Sequence, residues 1–172
     1  MNSRKGKWTL MKTALRVALM SMLLLLASCG GEAATELQVS SVSLWPPNWV
    51  QRADYVKKVA VAITFNRAVD ESSISAPGTL QIDVRGSLTG NTASTLPGTV
   101  QFSGDSKTAV FISDETLADL IDYQEGETVH YTITVIGTTT GSGVADSNGM
   151  ALDGDADGNP GGNYSGSARR VP

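Results

Sequence analysis

Residues Lys58 to Asp70 read Lys-Val-Ala-Val-Ala-Ile-Thr-Phe-Asn-Arg-Ala-Val-Asp. Val59, Val61, Ile63 and Phe65 alternate with Ala60, Ala62, Thr64 and Asn66. Successive side chains of an extended chain point to opposite faces, so this period of two predicts a strand with one buried face. A helix would put its apolar stripe at three- and four-residue spacing, which the stretch does not follow. The expectation is a central strand of an antiparallel β domain, with the other strands packed against it.

The same alternation returns downstream. Val129, Tyr131, Ile133 and Val135 form a second strong set, and Leu80, Ile82 and Val84 a third. Leu37–Leu44, Gly98–Asp105 (Val100 and Phe102 on one face), Thr108–Ile112 and Tyr164–Val171 read as further strands. Gly104-Asp105-Ser106 is a hairpin signal. Whether Phe111 or the pair Val110 and Ile112 points inward stays open at this level. Asp70 is placed to cap a turn over Glu71–Ile74, and Glu115–Ile121 suits another short helical turn. Trp45-Pro46-Pro47-Asn48-Trp49 must be loop, because two prolines remove backbone donors. Gly86–Pro97 and Gly137–Gly149 read as loops from their Gly, Ser, Thr and Asn content. About seven short strands with turns between them predict an all-β antiparallel sandwich.

The first 28 residues have a different character. Arg4, Lys5, Lys7, Lys12 and Arg16 precede the apolar run Val17–Leu26. That run is short of the ~20 apolar residues that a membrane span needs, and it fits the hydrophobic region of an export signal. It ends in Leu26-Ala27-Ser28-Cys29. The segment resembles the lipobox of bacterial lipoproteins: an aliphatic residue, two small residues, then a cysteine. The resemblance implies cleavage before Cys29 and acylation of its thiol, so that two or three acyl chains anchor the protein where one would be marginal. The expected organisation is a signal over 1–28, a tether over 29–36 and a folded domain over 37–172. Gly30 in place of an aspartate favours the outer membrane in a Gram-negative host.

Cys29 is the single cysteine, which excludes a disulfide within the chain. All 17 acidic residues lie beyond it, against eight of the 13 basic ones, for a net charge of −9. Such a balance argues against nucleic acid as a partner and suits cation binding.

In order along the chain, Ile63–Ile74, Gly98–Phe102, Phe111–Leu117, Tyr131–Val135 and Gly143–Leu152 resemble the bacterial Ig-like domain of the S-layer-protein type. The resemblance runs over roughly residues 37 to 171. It implies an Ig-like sandwich serving as a spacer, adhesive or presentation module in the cell envelope, with no catalytic residues. Partners would be the membrane, through Cys29, and a cell-surface protein or polysaccharide. Tyr131 also suits a tyrosine corner, whose hydroxyl bonds back to upstream backbone. The Trp45–Tyr55 loop departs from the shorter polar loop of the family.

Three features carry candidate chemistry. Asp153-Gly-Asp-Ala-Asp-Gly158 places three carboxylates at alternate positions before a glycine, as in the first half of an EF-hand-type calcium loop. Asp153, Asp155 and Asp157 would be the ligands, with Asn159, Asn163 or Asp146 completing the shell. Position twelve of such a loop is Tyr164 rather than glutamate, and Pro160-Gly161-Gly162 forbids a following helix. The alternative is a solvated acidic turn, but crowded carboxylates without a counterion repel one another, which favours a cation. Trp45 and Trp49, with Tyr55 nearby, are expected to bury against the open end of the sandwich; the alternative is an aromatic platform for sugars, which would make the chain a carbohydrate-binding module. His130, the single histidine, alternates with the buried set and so belongs on the outer face, with nothing marking a serine and acid beside it. The chain is expected not to be an enzyme.

Overall fold

The computed structural model describes residues 36–172 except residue 56, and side chains within that span except those of residues 54–56. Cys29 and the segment expected to be an export signal lie outside the described residues. Eight strands follow in chain order: β1 (Val39–Ser43), β2 (Lys58–Phe65), β3 (Leu80–Gly86), β4 (Thr92–Ala93), β5 (Gly98–Phe102), β6 (Thr108–Thr116), β7 (Val129–Val135) and β8 (Tyr164–Arg170). They form two four-stranded sheets, ordered β1-β2-β6-β5 and β4-β3-β7-β8, with every neighbour antiparallel. This is the Ig-like arrangement of strands ABED against CFG, with one added edge strand beside C.

The alternating residues meet between the sheets. Val59, Val61, Ile63, Phe65 and Phe111 from the first sheet pack with Leu80, Ile82, Val84, Val129, Tyr131, Ile133 and Val135 from the second. The open choice on β6 resolves by cross-strand register: Val61 pairs with Phe111 and shares its inward face. Val110 and Ile112 point the other way.

That other face is where the sequence reading needs correction. β2 was expected to bury one side, yet Ala60 and Ala62 are buried as well. The cause is the Trp45–Lys57 segment, which folds back so that Val50 packs against Ala62, Val110 and Ile112 on the outer face of the first sheet. Two helical turns border this region, Arg52–Tyr55 and Leu117–Leu120, the second capped by Thr116 through its side chain.

Asp70 caps Glu71–Ser73 as expected, its carboxylate accepting from the Ser72 amide at 2.9 Å. The Gly86–Pro97 stretch contains the two-residue strand β4, which brings the strands among the described residues to eight, and Leu96 is buried with its amide donating to the Ile82 carbonyl at 3.0 Å. The tyrosine corner is not formed: among the described residues the Tyr131 hydroxyl makes no backbone hydrogen bond. It lies near Arg170 and Tyr123, and burial raises its pKa above the ordinary phenol value.

One polar device escaped sequence reading. Glu127 is buried at the start of β7, and its carboxylate accepts from the amides of Leu88 (2.6 Å), Thr89 (2.9 Å) and Gln124 (2.8 Å). The amide of Gln124 in first place, with those of Thr89 and Leu88, holds its carboxyl below the usual carboxylate range against the opposing effect of burial. Glu127 thereby ties the β3–β4 turn to the segment entering β7.

Candidate functional site: the acidic loop and the tryptophan segment

The acidic loop hangs from the strand-like segment before β8. Val144 bonds to Ile136 and Leu152 bonds back to Val144, each at 2.8 Å, carrying this segment across the end of the second sheet. Leu37, fully buried, bridges Leu152 in parallel, and the Asp153 amide donates to the Leu37 carbonyl at 2.8 Å. The loop closes where Gly161 donates to Leu152 (2.8 Å) and Gly154 donates to Gly161 (2.9 Å). A Cβ on Gly154 would collide with the backbone of Tyr164 and Gly162, so only glycine permits this closure.

Asp153, Asp155 and Asp157 converge: each offers a carboxylate oxygen, and these oxygens lie within 4.8 Å of one another. Their surroundings differ. Asp153 is 1% exposed, while Asp155 and Asp157 are exposed to solvent. Asp153 Oδ2 accepts from Gln38 Nε2 at 2.7 Å and from the Gly158 amide at 3.2 Å; Oδ1 accepts from the Asp157 amide at 3.1 Å. The Gln38 side chain first, then the loop amides, hold its carboxyl below the ordinary range although burial opposes this. The Ala156 amide holds the same carboxylate, so Asp153 is well supplied with donors, and the exposed Asp155 and Asp157 are the carboxylates most open to a cation. Asp155 lies against the Gly162 backbone, and Asp157 Oδ1 accepts from the Asn159 amide at 2.8 Å. The donor set is hard oxygen, which fits calcium or magnesium.

Asn163 lines one pocket with Asp153 and Asp155, and its Oδ1 accepts from the Gly137 amide at 3.2 Å. Asp146 is 3% exposed; its Oδ1 takes the amides of Asn148 and Met150, both at 2.9 Å, and its Oδ2 faces Arg67 Nε at 3.5 Å. Asp146 thus organises its own turn.

The tryptophans contradict the expectation that they bury. Trp45 is 68% exposed and Trp49 43% exposed, because the segment is pinned by Val50, the residue after Trp49, rather than by the rings themselves. Arg170, at the end of β8, stacks over the Trp45 indole with its guanidinium carbon 4.6 Å from the ring centre. The Tyr55 side chain lies outside the described residues. His130 is exposed on the outer face of the second sheet, opposite Arg85 and Arg169 on the neighbouring strands. Among the described residues no serine or carboxylate is hydrogen-bonded to it.

No family model matches the chain, and no curated protein is similar to it. Solved structures are, among them the following two. "Structure of surface layer protein SbsC, domains 1-6" aligns with 80% of this chain and 14% of its own at 21% identity, with a TM-score of 0.43. "Crystal structure of the S-layer protein rSbsC(31-844)" aligns with 78% of this chain and 14% of its own, also at 21% identity, with a TM-score of 0.42. The chain therefore spans about a seventh of the length of those two proteins.

Proposed function

We propose that this chain is a lipid-anchored module of the cell envelope, held through Cys29, with a structural, adhesive or presentation role and a calcium-stabilised acidic loop. One observation carries the reading. The buried Asp153 of the carboxylate cluster is bonded to Gln38 and, through its amide, to Leu37, the first residues of the domain after the tether. A cation drawn to the cluster neutralises the crowded carboxylates and locks the point where an anchor would pull. Exchanging serine for Cys29 should abolish incorporation of labelled palmitate in the host. Melting with calcium and with chelator should differ, and Asp155→Ala should remove the difference; identical melts of the unaltered protein would end the calcium reading. Extracellular modules of this ligand type bind calcium at roughly 10⁻⁴ to 10⁻³ M, which sets the range to examine.

A second reading, a carbohydrate-binding module, is favoured by the exposure of Trp45 and Trp49. Aromatic faces left in water at one end of a rigid sandwich suit the flat faces of sugar rings.

A further inference from the structure

At the end of the sandwich where β1 finishes and β2 begins, a groove of about 670 Å³ opens. That size lies within the range of ligand sites. Trp45 and Tyr131 line it together with Arg52, Lys57, Lys58 and Arg170. No carboxylate side chain lines it among the described residues. Half of the eight basic residues beyond Cys29 therefore face one groove, in a stretch of chain whose net charge is −9. None of the four has an ion-pair partner among the described residues.

Local geometry concentrates the charge. Successive residues of a strand point to opposite faces, yet Lys57 and Lys58 both line the groove. Lys57 has a left-handed backbone, with φ of 67°, and its carbonyl accepts from the Leu117 amide at 2.8 Å. Arg170 spends one face of its guanidinium on Trp45 and keeps its N–H edge for a ligand. A flat apolar ring and a planar cation thus stand 4.6 Å apart at the mouth of one trough.

We infer that this groove binds an acidic polysaccharide, one whose sugar rings carry carboxylates. The inference rests on the carbohydrate-binding reading and gives it a ligand class. A uronate presents an apolar C–H face and a carboxylate on the same ring, which is the pairing that Trp45 and Arg170 offer. Carboxylates further along the polymer meet Arg52, Lys57 and Lys58. An acidic peptide is disfavoured because it brings carboxylates without the flat apolar ring face that suits Trp45. Nucleic acid is disfavoured by the overall negative charge.

Isothermal titration of the full exported chain in nonionic detergent, with chelator present, tests this with hexagalacturonate. Binding should saturate, weaken by about tenfold or more with Trp45→Ala or with Arg52→Ala and Lys58→Ala together, and fade as salt rises. Leu88→Ala should leave it unchanged, since Leu88 is exposed in the β3–β4 turn and does not line the groove. Far-UV circular dichroism confirms that each variant keeps its sheets. Equal affinity for cellohexaose leaves the sugar reading standing and overturns the requirement for carboxylates. Equal affinity for poly-glutamate or an oligonucleotide overturns the polysaccharide assignment. Absence of hexagalacturonate binding, or binding indifferent to Trp45→Ala, overturns the site.

Discussion

Val50 makes the most direct test of how the exposed tryptophans are held. It is 4% exposed and packs with Ala62, Val110 and Ile112, outside the main core. Val50→Ala removes two buried methyl groups, worth about 1.6 kcal/mol at ~0.8 kcal/mol each, before any residual cavity is counted. Ile133→Ala, between the sheets, should cost about 2–5 kcal/mol. If the Trp45–Lys57 segment lifts off as a local unit, the two variants separate by hydrogen exchange. The informative amide is that of residue 50, which donates to the Pro47 carbonyl at 3.0 Å. Val50→Ala should speed its exchange about fifteen-fold, the equivalent of 1.6 kcal/mol. Ile133→Ala should leave it unchanged while the inner strands lose protection. Tryptophan emission gives a second view, because two of the three tryptophans, Trp45 and Trp49, sit in this segment and the third is Trp8, near the start of the sequence. Acceleration of the residue 50 amide by Ile133→Ala would refute the idea, since the segment would then open only when the sandwich unfolds.

Glu127 contributes to the acid limit. Its folded carboxyl titrates below the ordinary value of 4.5, so the stability drawn from its ionised form is present above that value and disappears as pH falls through the lower folded one. Glu127→Gln should melt earlier than the unaltered protein at pH 7 and converge with it in strong acid, read from melting temperature against pH. Gly154→Ala should blunt the calcium-dependent rise in melting temperature while all three carboxylates remain, because the new Cβ meets the Tyr164 and Gly162 backbone and opens the loop. Asp146→Ala should cost about 1–3 kcal/mol in a urea titration, by stripping the acceptor from the Asn148 and Met150 amides, and leave any calcium response intact.

Alternation alone made the sandwich legible: Val59 to Phe65, Leu80 to Val84 and Val129 to Val135 each have a period of two, and each turned the expected face inward. Local chemistry was legible for the same reason. Asp70 caps its turn through a side chain two residues from the amide it accepts from, a short helical turn lies within Glu115–Ile121, and the three alternate aspartates converge within their own loop. Contacts between distant segments were not. Glu127 meets Leu88 and Thr89, Gln38 meets Asp153, and Val50 meets Val110, across sequence separations at which no periodicity speaks. The same is true of the groove, whose cations come from the segment after β1, the start of β2 and the end of β8. A residue's face within its strand follows from covalent geometry. Which strand ends meet in space follows from the packing of two sheets, and that packing decided where charge and exposed aromatic surface collect.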